Sequence, residues 1–305
     1  MSHDFALGNV YKIQGKYSDA IECFGYCATI FRSLKDWQGE CKAFGNVGLV
    51  YLSLGALDQA KNNLEESLNI AEKLDDLRGQ GQIINNLGLV DARLGQHQSA
   101  LKKFQRALQI ARDRHNKRDE GNALNNLGNT YLTLEMIEEA IDMYRQALDI
   151  AEDTDDRRGA ANVLGNLGNA SIAMGRFEKA IEYYQQDIQL RKSMGDRPGL
   201  RIALDGLGLA YSAFGELKKA LEYHQQALEL ARILGDARGE GYACWYLGAN
   251  YYQLGELEKA IDYVSMALPL FEKVQDTSTL DEAQTTLNAW WKMKFGEETA
   301  DAKYP

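Results

Sequence analysis

The sequence predicts an all-α protein, an array of seven stacked helix pairs closed by one further helix. Three observations carry this. Gly8, Gly48, Gly88, Gly128, Gly168, Gly208 and Gly248 recur every 40 residues, and Ala20, Ala60, Ala100, Ala140, Ala180, Ala220 and Ala260 keep the same step. Within each period apolar residues follow helical spacing. Only 3 of the 305 residues are Pro, against 28 Gly, so the helices run uninterrupted between their turns.

Each period resolves into two helices, A and B. In the third, Ile84, Leu87 and Gly88 precede a turn at Leu94-Gly95, and Ala100, Leu101, Phe104, Ala107, Leu108 and Ala111 follow at amphipathic spacing. The turn Gly recurs at Gly15, Gly55, Gly95, Gly175, Gly215 and Gly255, where a left-handed backbone closes helix A at no Cβ penalty. Glu135 alone replaces it, so that backbone should be strained or the turn different. Asp36, Asp76, Asn116, Asp156, Asp196, Asp236 and Asp276 precede each following helix A, as N-caps. The repeats are bounded at residues 1–34, 35–74, 75–114, 115–154, 155–194, 195–234 and 235–277.

Pro269 falls inside the last helix B, where the lost donor should kink it. Residues 278–295 form a helix-A-like stretch ending in Trp290 and Trp291, read as a cap over the last repeat; residues 296–305 read as a frayed tail. No pair buries a core alone, so the array is expected to be one elongated domain rather than the two that length suggests.

Composition narrows function. The net charge of -10 is spread evenly, which argues against non-specific nucleic-acid binding. No apolar run reaches the ~20 residues a membrane helix needs, and the N-terminus lacks a signal-peptide pattern, so a cytoplasmic chain is expected. No phosphate loop is present; Gly8 to Gly15-Lys16-Tyr17 fails in spacing and at the hydroxyl position. His3, His97, His115 and His224 fall at unrelated positions, and Cys23 and Cys27, one helical turn apart, read as free thiols rather than a metal or redox pair, since Cys27 occupies a small-residue core column. No catalytic constellation, metal or cofactor site is expected.

The recurring residues resemble those of the tetratricopeptide repeat, with Leu124, Leu127, Gly128, Tyr131, Ala140, Tyr144 and Ala147 of the fourth unit at the family's offsets. The 40-residue form, with Leu-Gly-Asn at 7–9, 127–129 and 167–169 and Gly-Asp-x-x-Gly at 195–199 and 235–239, resembles the Pins-type adaptors and the sensor arrays of signal-transduction NTPases, and less closely kinesin light chains. The resemblance implies a right-handed α-solenoid, a non-enzymatic scaffold binding an extended or helical peptide in a concave groove. It also admits a regulatory sensor array that controls a separate effector, and leaves self-association open.

Numbering positions so that Gly8 and Gly48 are position 8, the stripe beside the helix-A core holds positions 2, 5, 6, 9 and 13. It is rich in Asn: Asn46, Asn86, Asn126 and Asn166 at position 6, Asn85 and Asn125 at 5, Asn9, Asn129 and Asn169 at 9, Asn122 and Asn162 at 2. Asn is a poor helix former, at ~0.5 kcal/mol relative to Ala. Peptide capture is the preferred reading, since a carboxamide both donates to and accepts from an extended backbone; the alternative is Asn bonding Asn across repeats. Arg93, at position 13, is read as a ligand contact. Tyr242, Trp245, Tyr246 and Tyr252 form an aromatic patch that either anchors a ligand or packs on the capping helix and its Trp pair.

Arg78, Arg118, Arg158 and Arg238 form a column before helix A, read either as an electrostatic edge for an acidic ligand or, the favoured reading, as pairing with Asp76, Asp156 or Asp236 two residues back or with Glu120 and Glu240 two residues on. Asp91 and Asp187 replace core Tyr and Ala. Each is expected either at a locally open site or paired, with Arg93 a candidate partner for Asp91, and with looser packing in the third and fifth repeats.

Overall fold

The computed structural model describes residues 2–295; Met1 and the expected tail at 296–305 lie outside the described residues. Among them there are fifteen helices and no strand. The chain divides into two compact units, residues 1–156 and 157–305, where the repeat reading predicts one domain.

The first unit holds α1 (Ser2–Ile13), α2 (Tyr17–Ser33), α3 (Trp37–Ser53), α4 (Leu57–Lys73), α5 (Leu77–Arg93), α6 (His97–Asp113), α7 (Lys117–Thr133) and α8 (Ile137–Asp153). The second holds α9 (Arg157–Ala173), α10 (Phe177–Met194), α11 (Arg197–Phe214), α12 (Leu217–Leu234), α13 (Ala237–Gln253), α14 (Leu257–Lys273) and α15 (Thr277–Phe295). In each unit consecutive helices pack as antiparallel neighbours, and helix A of one repeat also touches helix A of the next.

The recurrent Gly at position 8 sets how close A and B approach. A Cβ on Gly128 would lie 2.5 Å from the Tyr144 ring, and the same position meets Leu64, Phe104, Tyr184, His224 or Val264 in other repeats. These large side chains are the centres of the small cores. In the second unit the core continues into the cap, where Ala283, Leu287 and Trp290 of α15 are buried. Pro269 lies within α14, which stays helical from Leu257 to Lys273 on both sides of it.

The caps follow the sequence reading. Asp36, Asp76, Asp196 and Asp236 accept from the amides of Gly39, Gly79, Gly199 and Gly239, and Asn116 from that of Asp119. Six turn Gly have φ between 70° and 87°. Glu135 takes the same turn with φ 60°, so the strained alternative holds. A left-handed backbone costs a non-Gly residue about 1–2 kcal/mol. Replacing Glu135 by Gly is therefore expected to stabilise the chain by about 0.5–1 kcal/mol after the extra chain entropy of Gly. Urea denaturation measures it, and an unchanged or lowered midpoint would reject the strain.

Asp91 and Asp187 are not at open sites; they are 0% and 2% exposed. Asp91 accepts from Ser99 at 2.5 Å and pairs with Lys103. Arg93 does not serve it, and instead donates to the Leu52 carbonyl at 2.6 Å, at the C-terminal end of α3 where a cation suits the helix dipole. Asp187 is held by Arg191 at 2.5 Å.

Candidate functional site

The helix-A stripe of the first unit runs over α3, α5 and α7. Two pockets open along it, one of 520 Å³ between repeats two and three, the other of 280 Å³ between repeats three and four. They are the same site repeated. Gln38, Lys42, Gly45 and Asn46 in the first correspond at 40 residues to Arg78, Gln82, Asn85 and Asn86 in the second, while Ser67 and Leu74 correspond to Ala107 and Arg114. Arg78, Gln82 and Asn86 line both pockets, forming the wall between them.

The Asn side chains divide by what they already bond. Asn126 donates to Asn85 at 3.0 Å, a direct link from repeat four to repeat three, so the stacking alternative holds for that pair. Asn46 accepts from Lys12 at 3.2 Å and donates to the Lys42 carbonyl. Asn9 donates to the Phe5 carbonyl. Asn129 is the acceptor for the buried Tyr144 hydroxyl at 2.7 Å, so its oxygen serves the core of its own repeat. Asn125 is half-buried and has partners. Asn86, half-buried, and Asn122, exposed, keep carboxamides with no side-chain hydrogen bond among the described residues, and both line the pocket of repeats three and four.

In the second unit the stripe is engaged by its own neighbours. Asn162 accepts from Arg191 at 3.0 Å, Asn169 from the Tyr184 hydroxyl at 2.6 Å, and Asn166 has partners. Arg201 joins Asp205 and Asp236, and Asp205 also faces His224 at 3.3 Å. Of the aromatic patch, Tyr242 donates to Asp276, and its ring meets Phe271 edge-on at 5.2 Å. Tyr246 lies 5.1 Å from the His224 ring, and Trp245 packs on the core. Tyr252 stacks on Trp290 at 4.6 Å. The packing alternative accounts for Tyr242 and Tyr252.

The Arg column behaves differently from the reading. Glu40, Glu120 and Glu240 are paired by Arg32, Arg112 and Arg232, from the end of the preceding helix B. Burial opposes the charge on Glu120, yet Arg112 and Lys117 hold its carboxyl below the ordinary range. Arg78 and Arg118 make no ion pair among the described residues. Asp76 caps its helix, and Glu120 is taken.

Helix hairpins in a 40-residue register, with a repeated pocket on the helix-A face, define a tetratricopeptide-type array. The tetratricopeptide repeat family model matches residues 2–73, 80–153 and 159–233, and the chain belongs to that family. No curated protein sequence matches it. Among solved structures it is similar to the apo form of the quorum sensor NprR from B. thuringiensis, at 16% identity and TM-score 0.75 over 98% of this chain and 84% of that one. It is similar to a signal transduction ATPase with numerous domains, bearing a tetratricopeptide repeat sensor, from Pyrococcus horikoshii (18%, TM-score 0.73, 93% of this chain). The match spans 44% of that protein. A third is a Rap protein complexed with Competence and Sporulation Factor (14%, TM-score 0.62, 84% of this chain and 76% of that one). At these identities the likeness is one of fold. No helix among the described residues is long and apolar enough to cross a membrane.

Proposed function

We propose that this chain is a non-enzymatic, cytoplasmic protein-binding module that holds an extended segment of a partner across the helix-A face of repeats two to four. The observation that carries the reading is the pair of pockets in 40-residue register, divided by Asn86. An extended strand alternates its side chains and presents backbone donors and acceptors between them. Repeated pockets receive the side chains, and the uncommitted amides of Asn86 and Asn122 bond the backbone whatever the sequence. That a Rap protein of similar fold was solved complexed with Competence and Sporulation Factor adds plausibility to the mode. Likeness to a quorum sensor and to a sensor-bearing ATPase favours a second reading, in which the occupied array regulates a separate effector.

The test is panning of a random peptide library on the whole chain, followed by fluorescence anisotropy of the selected peptides. Asn86→Ala/Asn122→Ala is expected to weaken every selected peptide by about 10- to 100-fold, from two or so lost hydrogen bonds at ~1 kcal/mol each. Its helical circular dichroism should be unchanged. Peptides retained equally by both proteins would remove the stripe from the binding surface.

A further inference from the structure

The two pockets carry a charge opposite to that of the chain. The protein has a formal net charge of -10, yet Lys42, Arg78, Arg114 and Arg118 line the pockets, against two acids, Asp76 and Asp119. Both acids already accept hydrogen bonds, and they leave two negative charges against four positive ones. Asp76 accepts the Gly79 amide as a cap, and Asp119 accepts from Asn116 at 2.7 Å and from Gln82 at 3.3 Å. The basic groups are exposed, and none makes an ion pair among the described residues. Arg32, Arg112, Arg191, Arg201 and Arg232, by comparison, are each held by a carboxylate. Arg114 sharpens the contrast. It stands at the helix-B terminus where the equivalent residue of the other pocket is Leu74.

We infer that these pockets select acidic peptides, taking Asp or Glu side chains of the bound segment against Arg78, Arg114 and Arg118 in one pocket and against Lys42 and Arg78 in the other. The inference rests on the peptide-binding reading above and specifies its partner. A guanidinium without a protein carboxylate offers its fork of donors to an incoming one. The sharing of Arg78 ties the two subsites to one ligand. Neighbouring packed helices lie about 8–10 Å apart, and an extended chain advances ~3.3 Å per residue with every second side chain on one face, so the two acids should be about two residues apart in the peptide.

The same library panned on the whole chain tests this. The expected result is enrichment of Asp and Glu, in pairs about two residues apart, among the selected peptides. Replacing both acids of a selected fluorescein-labelled peptide by Asn or Gln should weaken it about tenfold or more. Arg78→Gln/Arg114→Gln/Arg118→Gln should erase most of that difference, the ratio of acidic-peptide to neutral-peptide affinity falling toward one. Arg78→Glu/Arg114→Glu/Arg118→Glu should instead enrich Lys and Arg. These residues are exposed, so circular dichroism should report intact helices in both variants. Selected peptides without acidic enrichment, but still sensitive to Asn86→Ala/Asn122→Ala, would overturn the acidic subsites and leave the groove. A library that yields no binder overturns both.

Discussion

Tyr144→Ala is expected to lower stability by about 3–5 kcal/mol, the range for emptying a large buried aromatic site. Tyr144 is 0% exposed and is the largest of the fully buried side chains. Its ring covers Gly128, which has no Cβ to fill the space left behind, and its hydroxyl donates to Asn129 at 2.7 Å. Tyr144→Phe separates the two contributions. It keeps the ring, and the exposed Asn129 can turn to water, so the loss should be near 1 kcal/mol. Gly128→Val approaches the same contact from the other side. A branched side chain there would occupy the ring's volume, and overpacking typically costs about 1–3 kcal/mol. Equilibrium denaturation in urea measures all three. A Tyr144→Ala loss no larger than that of Tyr144→Phe would mean that the A–B interface closes on the cavity, and that position 8 does not fix the helix approach.

The array was legible because its chemistry repeats. The Asp or Asn caps and the position-8 Gly each announce one local requirement seven times over, and the turn Gly six times. Glu135 was legible for the same reason, as the exception in a column. What escaped depends on which neighbour a side chain reaches. Spacing along the chain pairs Arg78 with Asp76 and Arg118 with Glu120, two residues away, but the turn brings position 32 onto position 40, eight residues away. The signal was present: Glu40, Glu120 and Glu240 occur where position 32 is Arg, while Glu72 and Glu152 face Gln80 and Ala160. Asn129 and Asn169 were read into the groove from stripe geometry alone. Asn at position 9 meets Tyr at position 24 in both repeats, and the buried hydroxyl uses the amide. The paired pockets had no sequence signature, since their depth comes from how consecutive hairpins stack.

Arg191→Ala is expected to destabilise the second unit by about 3–5 kcal/mol, because it strands a buried carboxylate. Asp187 is 2% exposed and bonds Arg191 at 2.5 Å. The same guanidinium reaches Asp196, the cap of α11, at 2.8 Å and Asn162 at 3.0 Å. Removing both members of the pair is a different perturbation. Asp187→Ala/Arg191→Ala gives this repeat the Ala pair that others carry at Ala107/Ala111, Ala147/Ala151 and Ala227/Ala231. A buried ion pair exchanged for apolar side chains is often neutral or stabilising, so the double variant should recover to within about 1 kcal/mol of the parent or exceed it. Double-mutant analysis decides: a double loss equal to the sum of the single losses would deny the coupling. The pair also predicts a pH dependence. Burial raises the Asp187 carboxyl to about 6, with Arg191 only partly offsetting it. The folded chain therefore binds this proton more tightly than the unfolded chain, whose carboxyl titrates near 3.9. Between about pH 4 and 6 this group's contribution to stability falls as pH rises, being fully present only below the lower value. Asp187→Asn removes that term, so the stability of wild type relative to the variant should decline across that window. A difference that is flat with pH would show that Arg191 holds the carboxylate ionised throughout.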